Sequence, residues 1–353
     1  MRCDPICCRC GWNSGLPMHE PAFWHRPSSL TSRLLTPIAA LYGTITAGRM
    51  QKPGADAGIP VICVGNYHVG GAGKTPTVLA LVHLLRELGE RPCVLSRGYG
   101  GRLHGPLHVD AHGHAAADVG DEPLMMARHV PVVVSRDRIA GAAMAKSDEA
   151  SVIVMDDGFQ NPALRKDVSV IVIDAHRGLG NGRVFPAGPL RAPLPPQLAR
   201  TDALIVIGEG SAADSLASTV AACGGLVLRA RVYPDGGAVA ALRGQRVLAF
   251  AGIGDPARFF RTLRESGIDV AATRTFPDHH AYSRDHVAAL LADAKREALV
   301  LVTTEKDMAR LRSSADLAPQ VRDIAQFPVT LRFEDETALR QFVADRLRKA
   351  RGT

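Results

Sequence analysis

A chain of 353 residues, 46% of them hydrophobic and 22% charged, is long enough for two globular domains and lacks the compositional bias of disordered or fibrous sequences. Its formal charge of +7 suits an anionic partner, whether nucleotide, nucleic acid or acidic lipid. Aromatic residues are only 5% and are not interleaved with basic ones as on base-stacking surfaces, which argues against nucleic acid.

Cys3, Cys7, Cys8 and Cys10 crowd the start but lack the paired Cys-x₂-Cys knuckles of a zinc site, and the functional chain is expected to begin near Met18. The other cysteines, Cys63, Cys93 and Cys223, stand singly in apolar runs, as buried thiols of a reducing compartment do. An apolar stretch, Leu34 to Gly48, lies between Arg33 and Arg49 and follows Trp24, His25 and Arg26. It is too short and too rich in Thr and Gly to cross a bilayer, which takes about 20 apolar residues, and it has no clear cleavage pattern. Two readings of the segment stay open: an interfacial helix with basic flanks, or a helix packed on the core.

From Val61 to Pro76 an apolar run passes through a glycine-rich turn into Lys74-Thr75, which reads as strand, phosphate loop and helix. Gly70, Gly71 and Gly73 let backbone N–H groups turn toward a polyphosphate at a helix N-terminus, Lys74 reaches the terminal phosphates, and Thr75 offers a hydroxyl to Mg²⁺. His68 stands where the pattern has its first glycine, so the turn is a variant. Val78, Leu79, Leu81, Val82, Leu85 and Leu88 mark the buried face of the following helix, which Gly89 can end.

Further short, β-branched runs follow: Pro92 to Ser96, Val130 to Ser135, Ser151 to Met155, Val168 to Asp174 and Ala203 to Ile207. Strands buried on both faces look like this, and with helical stretches between several of them they predict a doubly wound, mostly parallel α/β sheet. A second α/β series runs from Gln245 to a final charged helix, predicting a smaller second domain. The proline-rich Pro186 to Pro196 reads as a surface loop, and the glycines around Asp235 to Gly244 read as the hinge.

Three acid-bearing stretches carry chemistry. Asp156 and Asp157 end an apolar strand at the sheet edge where the phosphate loop also ends, the place where ligands of such sheets lie, so they are expected to hold Mg²⁺ beside Thr75. Asp118, Asp121 and Glu122 lie between two strands, where Asp121 is either the base that accepts a hydroxyl proton or a cap of the helix at Leu124. Asp278-His279-His280 follows a strand, with Asp278 expected to orient a histidine. Thr304 to Asp307 approaches the guanine-specifying pattern but has Glu305 in place of its lysine, so GTP is not indicated.

Val64-Gly-Asn66 with Gly70 to Pro76, Ser96 to Gly100, Gly120 to Pro123, Asp156 to Gln160, Gly180 to Gly182 with Pro186 to Arg191, Asp278-His279 and Thr303 to Asp307 stand in the order seen in the tetraacyldisaccharide 4'-kinases, which phosphorylate the lipid A precursor of Gram-negative bacteria. The chain resembles that family from about Trp24 to near its end. The resemblance implies a P-loop NTPase-like kinase using ATP and Mg²⁺ at the cytoplasmic face of the inner membrane, peripherally bound to an anionic surface through its N-terminal helix. It implies Asp121 as catalytic base with His279 as its partner. By the same matching, Val69, Gly70, Gly71, Ala72, Gly73, Lys74, Thr75 and Pro76 hold the nucleotide, Thr75, Asp156 and Asp157 the metal, and Arg97, Gln160 and Arg191 the lipid substrate. Asn161 replaces a common histidine and Ala192 a common glutamate. The expected divisions are an extension over 1–27, an interfacial helix over 28–50, the kinase domain over 51–235 and a smaller α/β domain over 236–353. A competing reading is a phosphate-loop regulatory ATPase that switches partner proteins; a third is a non-catalytic membrane or nucleic-acid binding module.

Overall fold

The computed structural model describes residues 21–26, 29–314, 316–317 and 319–352. The expectations for Cys3, Cys7, Cys8, Cys10 and Met18 lie outside them. After a 3₁₀ turn at Ala22–His25, the first half of the chain runs α1 (Leu30–Leu34), α2 (Thr36–Met50), β1 (Val61–Gly65), α3 (Lys74–Glu87), β2 (Pro92–Ser96), β3 (Leu107–His108), α4 (Ala116–Val119), α5 (Asp121–Met126), β4 (Val132–Val134), α6 (Arg138–Ser147), β5 (Val152–Asp156) and β6 (Val168–Asp174). The second half runs α7 (Leu194–Leu198), β7 (Ala203–Ile207), α8 (Asp214–Ala222), β8 (Leu226–Pro234), α9 (Gly236–Leu242), β9 (Arg246–Ala251), α10 (Pro256–Glu265), β10 (Asp269–Thr275), α11 (Arg284–Arg296), β11 (Val300–Thr304), α12 (Glu305–Arg312), β12 (Ile324–Phe327), β13 (Val329–Phe333) and α13 (Glu336–Arg351).

The described strands form a nine-stranded sheet in the order β13-β8-β7-β6-β1-β5-β2-β4-β3 and a four-stranded one in the order β10-β9-β11-β12. In the large sheet only the outermost pairs, β13 with β8 and β3 with β4, run antiparallel. Because successive strand residues face opposite sides, Ile62, Val64, Val154 and Val170 bury against α3 and α13, while Val61, Cys63, Met155 and Ile171 bury against Met50, α6 and α8. This two-sided burial is why the central strands read as unbroken apolar runs. It also sets β1 in mid-sheet, with Val64 beside Asp156 of β5, so the phosphate loop and the acidic pair leave the same edge.

The small sheet, wholly parallel, has its own core around Phe250, Leu301, Val302 and Phe327. Residues 236–353 do not all belong to it. β13 pairs with β8, and α13 buries Leu339, Val343 and Leu347 in the large-sheet core, each side chain contributing roughly 1.5–3 kcal/mol. Arg351 also pairs with Glu90 at 2.7 Å, at the end of α3. The chain therefore leaves the large sheet after β8, builds the small one and returns, so two crossings join the layers.

Two local expectations change. Pro186 to Pro196 is no surface loop: Ala187, Leu190 and Ala192 are fully buried, because the segment braces the phosphate loop. Cys223 is exposed at the end of α8, while Cys63 and Cys93 are buried as expected.

Candidate active site

The phosphate loop is shaped at both ends. At its close Gly73 caps α3 at φ +93°, where a Cβ would come within 2.7 Å of Ile207. At its opening the buried His68 forms an antiparallel bridge with Leu190, and the Val69 N–H donates to the Pro189 carbonyl at 2.8 Å. This bridge to the proline-rich segment explains why the loop needs no glycine at position 68. Asn66 donates from its side chain to the Gly70 carbonyl at 3.1 Å, and Gln160 donates to the Asn66 carbonyl at 2.8 Å and to Gln197 at 2.9 Å. Gln160 thus props the base of the loop through its amide nitrogen.

Strand register brings Asp156 and Asp157 to this loop. Asp157 lies 3.7 Å from Lys74 and 2.6 Å from Arg191; burial opposes its ionisation, but the two cations outweigh it and hold the carboxyl at about 2. Asp156 differs from its neighbour. Burial, with Glu122 and Asp157 nearby, pushes it up to about 7. One of its oxygens is buried without a hydrogen-bond partner among the described residues, while the other takes a long 3.5 Å bond from Ser96. A buried carboxylate oxygen without a partner is costly in isolation and well suited to a hard cation, so Asp156 fits the part of a Mg²⁺ ligand at the edge where Lys74 and Thr75 open α3. Arg138 of α6, buried under β5, fixes the strand end by donating to the Leu95 and Asp156 carbonyls at 3.3 Å.

Facing this edge is α5. Its N-cap is Gly120 at φ +92°, where a Cβ would meet the Tyr99 carbonyl at 2.5 Å. Asp121 is therefore the first helical residue and not the N-cap, although its carboxylate accepts from the Glu122 N–H at 3.0 Å. The same carboxylate reaches across to the small domain, where His279 Nδ1 lies 3.1 and 3.0 Å from its two oxygens and Arg310 Nε 3.7 Å from one of them. Burial disfavours the charge on Asp121, yet the His279 hydrogen bond and the Lys306 and Arg310 charges hold it well below the usual carboxylate range. The same bond raises His279 above its ordinary value, against the opposing effect of burial. Asp278 is the lesser partner, 3.8 Å from the other ring nitrogen. The exposed Tyr99 ring lies 5.6 Å from that of His279.

Next to Asp121, Glu122 accepts from the Thr75 hydroxyl at 3.5 Å and pairs with Lys306 of α12, so the two layers meet at α5. Lys306 lowers Glu122, and Glu122 in turn holds Lys306 above its ordinary value despite burial. A second crossing lies at the end of β6, where Asp174 pairs with Arg258 at 3.1 Å and Arg177 with Asp255 at 3.4 Å. Arg97, by contrast, stands exposed on the loop after β2.

Residues 31–348 match the profile of the tetraacyldisaccharide-1-P 4'-kinases. The chain belongs to that family. Relatives named tetraacyldisaccharide 4'-kinase include one of Nitrobacter hamburgensis, 68% identical over 95% of this chain and 100% of its own length, and one of Nitrobacter winogradskyi, 66% identical over 95% and 99%. Among solved structures, an LpxK of Aquifex aeolicus, described as an "apo" form in complex with ATP, is 27% identical with a TM-score of 0.70, covering 90% of this chain and 100% of that one. The family is one of ATP-dependent kinases of lipid A biosynthesis, and the regulatory-ATPase reading is not favoured.

Sequence reasoning named Asp121, His279, Lys74, Asp156 and Asp157 but gave no role to Glu122, Lys306, Asp307 or Arg310. A signal was there: Lys306 and Arg310 stand four apart on one helix directly after a strand of the small sheet, a spacing that puts both cations on one face.

Proposed function

We propose that this cleft transfers the γ-phosphoryl group of ATP to the 4'-hydroxyl of a tetraacyldisaccharide 1-phosphate. The observation that carries the reading is the 3.0 Å contact of Asp121 with His279, a carboxylate and an imidazole delivered by different layers beside a phosphate loop. Asp121 takes the proton of the attacking hydroxyl, and His279 holds the carboxylate in line and shares that proton. Val69 to Pro76 cradles the triphosphate, with Lys74 directed at its terminal groups. Thr75, Asp156 and Asp157 would hold Mg²⁺, which when bound neutralises charge between the β- and γ-phosphates. Arg191 and Arg97 supply positive charge for the anionic substrate. The kinase domain is 51–235 completed by β13 and α13, and the small sheet is the domain that closes on it.

The N-terminal segment is the membrane-facing part. Leu30, Leu34, Ile38, Leu41 and Ile45 recur at helical spacing and are all more than half exposed, with Arg26, Arg33 and Arg49 exposed beside them. A stripe of that kind suits a peripheral seat on the anionic cytoplasmic face of the inner membrane. No helix among the described residues is long and apolar enough to cross a membrane. Trp24 and Asn181 anchor the segment, Trp24 by donating from its ring N–H to the Pro186 carbonyl at 3.1 Å and Asn181 by donating from its backbone N–H to the Trp24 carbonyl at 2.7 Å. Between α2 and residues 182–195 runs a groove of about 730 Å³ lined by Ala39, Gly43, Ala47, Val184 and Leu194. Its rim at Pro193 lies two residues from Arg191, so an acyl chain in the groove leaves the sugar near the phosphate loop.

Incubation with labelled ATP and an acylated glucosamine disaccharide 1-phosphate tests the reading. Label in the lipid supports it; ATP turnover without lipid labelling would return the regulatory ATPase.

A further inference from the structure

α12 holds a cluster that the reading above does not use. Asp307 is fully buried, and its carboxylate accepts from the Gly252 N–H at 3.0 Å and from Tyr282, Thr304 and Arg310 at 2.7 Å each. A buried carboxylate bonded on both oxygens is fixed in place. It fixes Arg310, itself buried, whose remaining donors reach three carbonyls: Gly252 at 2.8 Å, His280 at 3.4 Å and Lys306 at 3.4 Å. The His279 N–H donates to that same Gly252 carbonyl at 3.2 Å. One guanidinium is therefore bonded to the backbone on which His279 rests and to the residue that follows it. It also faces Asp121 across the layer boundary at 3.7 Å, beside His279 and Lys306. His279 has φ +57°, a left-handed conformation that a non-glycine residue keeps only when its surroundings impose it.

We infer that Arg310, locked by Asp307, is a positioning residue for phosphoryl transfer: it clamps the loop that carries His279 so that the imidazole stands against Asp121. The inference rests on the reading of Asp121 and His279 as the pair that acts on the sugar hydroxyl. The role calls for arginine because a planar guanidinium offers five donors in a fixed fork, enough for Asp307 and the loop carbonyls together. The three donors of an ammonium radiate from one point and cannot bridge the same groups. A clamp of this kind acts through geometry. Losing it leaves ATP binding on the large sheet intact and lets the imidazole drift, and a displacement of about 1 Å can cost on the order of a hundredfold in rate.

The test is a kinetic cycle on the full chain, with ATP and an acylated disaccharide 1-phosphate, using Arg310→Ala and Arg310→Lys with and without His279→Ala. Arg310→Ala should lower kcat by roughly ten- to a hundredfold with the KM for ATP within about twofold of wild type, and Arg310→Lys should recover only part of the loss. In the His279→Ala background the same substitutions should cost less than about threefold, because the group they position is gone. A full loss in that background, or wild-type kcat in folded Arg310→Ala, overturns the inference. Arg310→Lys keeps charge and volume and carries the cycle if the alanine variant does not fold. Should His279→Ala be impaired while both Arg310 variants are not, only the clamp falls. Should His279→Ala itself retain wild-type kcat, the catalytic pairing falls and the clamp with it.

Discussion

On the large-sheet side of the cleft, Lys74 and Thr75 open α3 after the phosphate loop that follows β1, and Asp156 and Asp157 lie at the end of the neighbouring β5, placed by the pairing of Val64 with Asp156 and by a loop bonded to Asn66 and Pro189. On the small-sheet side, His279, Lys306 and Arg310 meet the same cleft through charged contacts with Asp121 and Glu122, with the Tyr99 ring beside His279 and Ala309 of α12 packed in the large-sheet core. The first half is built by a continuous buried core and stands whether or not the domains touch. The second is assembled by contacts between layers, ion pairs foremost among them, a geometry that exists only while the layers are together. Nucleotide binding should therefore depend on the first half alone, and phosphoryl transfer on both.

The largest effect is expected on the built half. Lys74→Ala should cut turnover by two or more orders of magnitude, about 3 kcal/mol of transition-state stabilisation, while circular dichroism stays unchanged. Near-normal turnover in the folded variant would take the phosphate loop out of the reaction.

Asp156→Asn separates metal from fold. The carboxyl is raised from 3.8 to about 7 in the folded chain, so the native state holds its proton more tightly than the unfolded one. Stability from this group is present below 3.8 and is lost as pH rises toward about 7; asparagine has no charge to bury. Without Mg²⁺ at pH 8 the variant should melt higher than wild type, yet its turnover should fall at least tenfold, with Mg²⁺ half-saturation moved upward. A lower melting temperature would show that Asp156 is a structural carboxylate.

His279 probes the assembled half. Its folded value lies above 6.5, so the pairing with Asp121 stabilises fully below 6.5 and is lost as pH rises through the folded value. The melting temperature of wild type should fall over that window, and His279→Ala should flatten the fall. Parallel curves would mean that the contact adds nothing to stability in solution.

The smallest effect is expected farthest from the chemistry. Leu34→Glu, Leu41→Glu and Ile45→Glu combined should weaken vesicle binding and raise the KM for lipid by roughly tenfold while sparing that for ATP. An unchanged lipid KM on vesicles would remove α2 from substrate delivery.

The same contrast explains what was legible in the sequence. Continuous β-branched runs announce strands buried on both faces, so the central sheet and the edge carrying Lys74 and Asp156 could be read directly. β13 and α13 could not be allotted to the large sheet, because pairing with β8 across a hundred residues leaves no local trace. Pro186 to Pro196 misled for a related reason: prolines signal irregular backbone, and nothing in them says that the backbone is buried as a brace. Nothing in the sequence around Gln160 shows that its amide nitrogen bonds to Asn66 and Gln197 beneath the loop. The link from Asp121 to His279 came from resemblance to a family; periodicity and spacing cannot supply a contact between layers.

The most direct test of the account is a double-mutant cycle on Asp121 and His279, read as kcat at saturating ATP and Mg²⁺. Each of Asp121→Asn and His279→Ala should lower kcat strongly with little change in ATP binding, and the double variant should be little worse than the less active single, as groups acting as a unit behave. Fully multiplicative losses would contradict the account, leaving a base and a histidine that work independently.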